Sequence, residues 1–126
     1  MEANKCKFLA YNLFMQLEKL LEEDESEYLD FKQKWYEDTG CLILDILCMA
    51  NSDTQSDRYI VIGYSEKERK FCDISENRLN QDNLCNLLST SNFNRIPLVK
   101  IQTLSIAGNE IDIIVIKKAQ TDPIFY

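Results

Sequence analysis

The sequence contains a run of ten residues, positions 41–50, in which Asp45 is the one charged side chain. The run is longer than a usual β-strand, and either Asp38 or Thr39 can serve as the N-cap of a helix that includes it. It therefore predicts a helix over residues 38–51 that is apolar on almost every side and is buried in the core.

Segments with strand character lie on both sides of this predicted helix. Residues 27–32 alternate in the period-two manner of a strand, which places Leu29 and Phe31 on the core face. The opposite face takes the remaining side chains: Tyr28, Asp30 and Lys32. Residues 58–64 are rich in β-branched side chains and close at Gly63. A strand, a helix and a second strand in this order permit a parallel pair joined by a right-handed crossover.

The rest of the chain adds two helices and three strands to this unit. The predicted bounds are residues 4–23 and 80–90 for the helices, and residues 71–74, 98–105 and 110–117 for the strands. The first of these strands is predicted to form a hairpin with residues 58–64 across the charged turn 65–70, and the last two a hairpin across a turn at 107–109. The element order is α-β-α-β-β-α-β-β, and the predicted fold class is α+β with a mixed sheet.

The chain of 126 residues has the length of a single domain, because two halves would each be too small to bury a stable core. Residues 122–126 end on apolar side chains, so we expect residues 1–126 to form the N-terminal domain of a longer protein. No apolar run reaches the ~18 to 20 residues that cross a bilayer, and the first residues lack the pattern of a secretory signal. The sequence therefore predicts a cytoplasmic location and no membrane partner.

The five cysteines are odd in number, widely spaced and mostly placed in apolar segments. This pattern predicts reduced thiols that serve as small core residues, and it argues against a disulfide framework. The sequence has no histidine and no Cys-x-x-Cys pair, which excludes the usual kinds of zinc site. The sequence alone requires no cofactor, and any metal ion would be a hard ion held by oxygens, such as Mg²⁺ or Mn²⁺.

The net charge of −7 at pH 7 argues against a polyanionic partner, because nucleic acids are bound chiefly by lysine and arginine. The charge is unevenly distributed, however: residues 22–27 are almost all acidic, whereas basic residues form two short clusters. These clusters supply the candidate nucleic-acid contacts, which are Lys32, Lys34, Lys67, Arg69 and Lys70. A local basic surface that binds DNA or RNA is therefore compatible with the sequence.

Asp30 and Lys32 share one face of the predicted strand, and Glu25 precedes that strand. Carboxylates from a loop and a strand can hold a divalent cation, and a neighbouring lysine can stabilise the charge that develops on a phosphate. The arrangement suits a metal-dependent nuclease in which Lys32 is a further catalytic candidate. An exposed aspartate and lysine on one strand face also commonly form ion pairs without any function, and these residues alone do not decide between the two interpretations.

Three successive motifs resemble the signatures of the Schlafen AlbA-like domain family. They are Glu25-Ser26 followed by Asp30-Phe31-Lys32, then residues 46–52, which read Ile-Leu-Cys-Met-Ala-Asn-Ser, and then residues 59–63, which read Tyr-Ile-Val-Ile-Gly. The family shows a Glu-Ser, a Glu-Phe-Lys, an Ala-Asn-Ser/Thr at the end of a helix and an Ile-Gly-Val strand. The resemblance covers roughly residues 20–126.

The resemblance implies a nucleic-acid-binding domain, of the kind found at the front of bacterial transcription regulators and defence proteins and as an RNA-cleaving core in animal Schlafens. Three carboxylates form the active site of the cleaving members, and their positions correspond here to Glu25, Asp30 and Glu66, the candidate catalytic and metal-binding residues. This chain departs from the family pattern in having Asp30 for the usual Glu, Ser65 where an acid is common, and no Gly-Gly within residues 52–57. The shorter Asp30 side chain draws a ligand oxygen back by about one bond length, which metal coordination tolerates poorly.

Three further residues each allow two interpretations. Asn51, at the end of the predicted helix, either contacts a ligand backbone or caps the helix. Trp35 and Tyr36 follow the basic residues Lys32 and Lys34, so they either stack on a base or cover the edge of the core.

Three classes of function remain after these observations. They are a nucleic-acid-binding module, a metal-dependent nuclease or endoribonuclease, and a protein-interaction or homodimerisation domain of a larger regulator. The resemblance favours the first class, whereas composition alone favours the last. The sequence does not distinguish DNA from RNA.

Overall fold

The computed structural model describes residues 29–51, 57–117 and 124, and these residues form two helices and six strands. In chain order they are β1 (Leu29–Lys32), α1 (Thr39–Ala50), β2 (Arg58–Ile62), β3 (Tyr64–Ser65), β4 (Lys70–Phe71), α2 (Gln81–Ser89), β5 (Val99–Ile106) and β6 (Asn109–Ile116). The helix predicted over residues 4–23 lies outside the described residues. The α+β class and the mixed sheet are confirmed.

The main sheet has the strand order β1-β2-β6-β5. Strands β1 and β2 are parallel, in a register that pairs Leu29 with Tyr59 and Lys32 with Ile62. Strand β6 runs antiparallel to both β2 and β5. The predicted strand–helix–strand unit therefore forms the parallel half of the sheet, and the C-terminal hairpin forms the antiparallel half.

Apolar side chains cover both faces of this sheet. On one face, which we call the helix face, residues from β2 and β6 pack against α1 and α2: Ile60, Ile62, Ile114 and Ile116 against Leu42, Ile46, Leu84 and Leu88. On the other face the buried cluster is Leu29, Phe31, Val61, Tyr64, Ile111 and Ile113. The predicted burial of Leu29 and Phe31 is thus confirmed. Because successive side chains of a strand point to opposite faces, Asp30 and Lys32 lie on the helix face.

Helix α1 has a capping residue at each end. The backbone N–H of Gly40 donates to Asp38 Oδ1 at 2.8 Å, which makes Asp38 the N-cap. Asn51 is the C-cap, and its side chain forms two hydrogen bonds with the backbone of Ile124: Nδ2 donates to the carbonyl at 2.7 Å, and Oδ1 accepts from the N–H at 2.8 Å. Ile124 is buried in the core of the helix face, so these two hydrogen bonds join Ile124 to the end of α1.

The prediction that α1 is buried on almost every side is wrong. One stripe of the helix is buried, whereas Cys41, Leu44 and Cys48 are exposed on the opposite side, with Leu44 52% exposed. The four cysteines described by the structure are free thiols; Cys41, Cys48 and Cys85 are exposed and Cys72 is partly buried. The predicted core role is therefore wrong for Cys41, Cys48 and Cys85, which are exposed on helices, whereas Cys72 is partly buried.

Gly63 divides the predicted strand 58–64 into β2 and β3. Its φ of +111° is unfavourable for any residue with a Cβ, its N–H donates to the carbonyl of Lys32 at 2.8 Å, and its carbonyl accepts from the N–H of Cys72 at 2.8 Å. The chain then forms the short β3–β4 sheet, in which Tyr64 pairs with Phe71 and Ser65 with Lys70. The predicted partner strand, residues 71–74, therefore overlaps the observed β4 at Phe71 alone.

Helix α2 begins with a reciprocal capping box between Asn80 and Asn83. The next residue, Gln81, reaches the outer edge of β5: its Nε2 donates to the carbonyl of Val99 at 3.2 Å, and its Oε1 accepts from the N–H of Ile101 at 2.6 Å. The side-chain amide of Gln81 thus makes the two hydrogen bonds that one residue of a neighbouring strand would make with β5. Among the described residues, no helix is long and apolar enough to cross a membrane.

Candidate nucleic-acid interface

Four side chains meet on the helix face at the end of β1, and we call them the Lys32 cluster: Asp30, Lys32, Tyr36 and Asp45. The Nζ atom of Lys32 lies 3.3 Å from Asp30 Oδ2, 3.8 Å from Asp45 Oδ2 and 5.6 Å from the centre of the Tyr36 ring. Two carboxylates therefore flank one ammonium group, and an aromatic face adds a cation–π contact.

The positions of these side chains follow from the packing of α1 against β1. Asp30 and Lys32 are two residues apart on a strand and so point to the same face. Asp45 borders the buried stripe of α1, next to Ile46, and so lies above that face. Tyr36 precedes the helix and donates its hydroxyl proton to Asp45 Oδ2 at 2.6 Å. Burial raises the pKa of the Tyr36 phenol, and the hydrogen bond to Asp45 raises it further, so the hydroxyl stays protonated and remains a donor.

The β3–β4 hairpin is anchored beside the same end of β1. The Tyr64 ring contacts Phe31 and Phe71, with ring centres 5.6 and 5.5 Å apart, on the face opposite the Lys32 cluster. Gln33 Nε2 donates to the buried Ser65 Oγ at 3.4 Å, and this oxygen also accepts from the N–H of Glu68 at 3.2 Å. Because β1 is an edge strand, the hairpin and the Lys32 cluster lie on the two sides of one sheet edge.

The five candidate nucleic-acid contacts differ in how they are paired. Lys34 forms an ion pair with Glu37 at 3.3 Å and Lys70 with Glu68 at 2.7 Å, and Lys32 is held in its cluster. Lys67 and Arg69 are exposed at the hairpin turn, and within the described part of the chain neither has an ion pair. Among the five candidates, Lys67 and Arg69 in the β3–β4 turn are therefore the ones whose positive charge is not already paired within the described residues.

Two of the three candidate metal-binding residues, Asp30 and Glu66, lie among the described residues. Asp30 lies beside Lys32, as predicted, whereas Glu25 lies outside the described residues. Glu66 is partly buried in the hairpin, directly after Ser65. Among residues 29–51, 57–117 and 124, no three carboxylate or cysteine side chains form a group able to hold a metal ion. The described carboxylates thus do not by themselves complete a Mg²⁺ or Mn²⁺ site, and the triad of Glu25, Asp30 and Glu66 stays a prediction.

The sequence model of the family described as "Schlafen, AlbA_2" matches residues 25–126. The chain belongs to the Schlafen AlbA_2 family. A search of curated proteins finds no match.

Two solved structures share the fold of this AlbA_2 domain. One is the solution NMR structure of the N-terminal domain of a RecG-related protein from Nitrosomonas europaea, with a TM-score of 0.57 and 16% identity over 81% of this chain and 72% of that one. The other is the crystal structure of the DIP2311 protein from Corynebacterium diphtheriae, with a TM-score of 0.59 and 17% identity over 90% of this chain. This chain spans 23% of the Corynebacterium protein.

A buried carboxylate of the AlbA_2 domain was not found by sequence reasoning. Asp112 in β6 is 1% exposed and accepts four hydrogen bonds: one from Trp35 Nε1 at 2.9 Å, one from Thr103 Oγ1 at 2.6 Å, and two from Arg78 at 2.9 and 3.1 Å. Arg78 also donates to Glu110 at 2.8 Å. These hydrogen bonds, those with Asp112 above all, raise the pKa of Arg78, so its guanidinium remains charged.

The structure bears on the alternatives that the sequence left open for Trp35, Tyr36 and Asn51. Trp35 is buried and covers the core, so base stacking is wrong for this residue. Tyr36 is partly buried and takes part in the Lys32 cluster. Asn51 caps α1, while its side-chain amide is hydrogen-bonded to the backbone of Ile124.

A signal for Asp112 was present in the sequence. One carboxylate between Ile111 and Ile113 in an apolar strand must either find hydrogen-bond donors or be excluded from the core.

Proposed function

We propose that this AlbA_2 domain binds nucleic acid at the edge of the sheet formed by the end of β1 and the β3–β4 hairpin. The observation that carries the proposal is the exposure of Lys67 and Arg69, without ion pairs among the described residues, on a hairpin that Gln33 and Tyr64 fix beside β1. Membership of the family supports it. So does the name of the Nitrosomonas protein, which relates that protein to RecG, an ATP-dependent DNA helicase.

The charge balance sets the expected strength of binding. The chain carries a net charge of −7, and Glu66 and Glu68 lie in the same turn as Lys67 and Arg69. Few phosphates can therefore be neutralised, and each one neutralised on a single strand contributes about 0.7 to the slope of log K against log salt. We expect weak binding that disappears at moderate ionic strength.

Changing Lys67 to Ala or Arg69 to Ala should each lower the salt slope for a single-stranded oligonucleotide by about 0.7, because each change removes one phosphate contact. The measurement is fluorescence anisotropy with labelled RNA and DNA oligonucleotides across a salt series that begins at low salt. Comparing the two oligonucleotides also tests whether DNA or RNA is preferred.

Lys100→Ala is the matched control for Lys67→Ala, because it removes the same charge from an exposed site on β5, the opposite edge of the sheet. We expect it to leave the slope within error of wild type. An equal loss of salt slope in Lys67→Ala and Lys100→Ala would mean that only the net charge of the protein matters. If the wild type does not bind the oligonucleotide at low salt, the proposed function is refuted.

A second candidate function is metal-dependent cleavage of RNA or DNA by Glu25, Asp30 and Glu66 with Lys32. The supporting observation is that Asp30 and the Lys32 ammonium group lie 3.3 Å apart at the sheet edge proposed to bind the phosphate backbone. In this function the carboxylates would hold Mg²⁺ or Mn²⁺, which would supply Lewis-acid stabilisation of the phosphate charge.

If the domain cleaves nucleic acid, Asp30→Ala should reduce cleavage in Mn²⁺ by at least about 100-fold while the protein remains folded, because removal of one metal ligand disrupts the site. The assay follows a labelled oligonucleotide on a denaturing gel, with and without a chelator, and circular dichroism checks the fold. Glu76→Gln, an exposed change outside the proposed triad, should cleave like wild type. Cleavage that survives in Asp30→Ala would assign the activity to a contaminant.

We also propose that residues 1–126 act as a module of a larger protein, and the 23% coverage of the Corynebacterium protein supports this. The roles in transcription regulation or defence, the homodimer and the cytoplasmic location stay predictions.

A further inference from the structure

We infer that Asp45 limits the affinity of this domain for nucleic acid by holding Lys32 in an intramolecular ion pair that a phosphate group must break. This inference rests on the proposed function, and it adds a residue that restrains binding at the same sheet edge.

The geometry of the Lys32 cluster leaves the ammonium group committed to the protein. Nζ of Lys32 has Asp30 Oδ2 at 3.3 Å, Asp45 Oδ2 at 3.8 Å and the Tyr36 ring below it. Lys32 thus lies between two carboxylates, and an approaching phosphate must compete with both for the ammonium group. Unlike charges at these distances attract and like charges repel, so the cluster opposes polyanion binding although it contains a lysine.

Asp45 is the fixed member of this cluster. The Tyr36 hydroxyl donates to the same Oδ2 atom that faces Lys32, at 2.6 Å, and this bond orients the carboxylate toward the ammonium group. The phenol remains a donor because burial and Asp45 keep it protonated. Asp30, in contrast, belongs to the strand of Lys32 itself and to the proposed metal triad. A change at Asp45 therefore tests the restraint without altering that triad.

The cluster is open enough for a phosphate to compete. The side chains of Lys32, Asp30 and Asp45 are 37%, 24% and 40% exposed, so water and ions reach all three. Exposed ion pairs of this kind are weak and exchange readily. Lys32 can thus turn from Asp45 to a phosphate oxygen once the opposing carboxylate charge is removed or outcompeted.

Asp45→Asn should increase the affinity for a single-stranded oligonucleotide about fivefold at about 50 mM salt and raise the salt slope by about 0.7, because Lys32 then has one carboxylate of the cluster beside it, Asp30, in place of two and can turn to neutralise one phosphate. The Asn side chain still offers an oxygen to the Tyr36 hydroxyl, so we expect the fold to be retained. Asp45→Glu keeps the negative charge and should bind like wild type, which separates the effect of charge from that of shape. Glu76→Gln removes the same charge from an exposed site outside the cluster and should change the affinity less than twofold.

The gain in Asp45→Asn must depend on Lys32. In a Lys32→Ala background the same substitution should give no more than the Glu76→Gln effect, and this double-mutant cycle isolates the pair. If the salt slope of the wild type depends on Lys67 but Asp45→Asn has the same affinity as the wild type, the inference is wrong and the proposed function stands. A gain that persists without Lys32 would also overturn it. If neither wild type nor Asp45→Asn binds at low salt, both the proposed function and the inference fail.

Discussion

Replacement of Asp112 with alanine should lower the free energy of unfolding by about 3 kcal/mol, because it removes a buried acceptor and leaves its donors unpaired. Trp35 Nε1 loses its partner inside the core, and Arg78 loses two of its hydrogen bonds. The Arg78 side chain is 34% exposed and can turn toward water, so the expected cost lies at the lower end of the range for broken buried ion pairs. Thermal unfolding followed by circular dichroism should show a fall in Tm of about 10 °C.

Glu110→Ala is the matched control, since it removes the other carboxylate bound by the same guanidinium group. The Glu110 side chain is exposed, so its ion pair with Arg78 should contribute less than about 1 kcal/mol. A similar loss in both variants would show that the charge of Arg78, and not the burial of Asp112, decides the cost.

Changing Gly63 to alanine should destabilise the domain by about 2 to 4 kcal/mol through backbone strain and a steric clash. A residue with a Cβ is strained at a φ of +111°, and the added methyl group would lie 2.9 Å from Ile74 Cγ2 and 3.2 Å from the carbonyl oxygen of Glu110. The backbone of Gly63 links β1 to the segment after β4, so moving it would also disturb the hairpin that carries Lys67. Denaturant unfolding gives the change in free energy.

Gly108→Ala provides the comparison for Gly63→Ala. Gly108 also has a positive φ, +79°, but a Cβ there would meet nothing within 4 Å. The expected cost is about 1 kcal/mol, which is the conformational preference alone. If Gly108→Ala were as destabilising as Gly63→Ala, the close contacts with Ile74 and Glu110 would not be the cause.

The parts of the fold that depend on local pattern could be predicted from the sequence. The period-two alternation placed Leu29 and Phe31 in the core, and Asp38 was one of two predicted N-caps of α1. The division of the second strand at Gly63 could not be predicted, because it depends on hydrogen bonds to Lys32 in β1 and to Cys72 in the segment after β4. Strand order likewise depends on contacts between distant segments.

The candidate site was predictable to the extent that its residues lie on one strand. Asp30 and Lys32 are two positions apart, and their common face follows from strand geometry. Asp45 was visible as the single charge in an apolar run, but its contact with Lys32 requires the packing of α1 on β1. The burial of Trp35 depends on Asp112, which is 77 residues away in sequence, so no local pattern could distinguish it from an exposed aromatic.

The charge state of the candidate interface also required the structure. Lys34 and Lys70 lie near acidic residues in the sequence, but only coordinates show the distances of 3.3 and 2.7 Å that neutralise them. Counting basic residues therefore overstated the positive charge available to a polyanion.

The side chain of Gln81 also limits how this sheet can polymerise. An exposed edge strand is a template on which unpaired chains can deposit and form amyloid-like aggregates. Gln81 occupies the carbonyl of Val99 and the N–H of Ile101, which an incoming strand would need to begin pairing at this end of β5. On β5, an incoming strand is thereby left with the stretch beyond Ile101 as its place to pair, so one glutamine side chain shortens the open part of this edge.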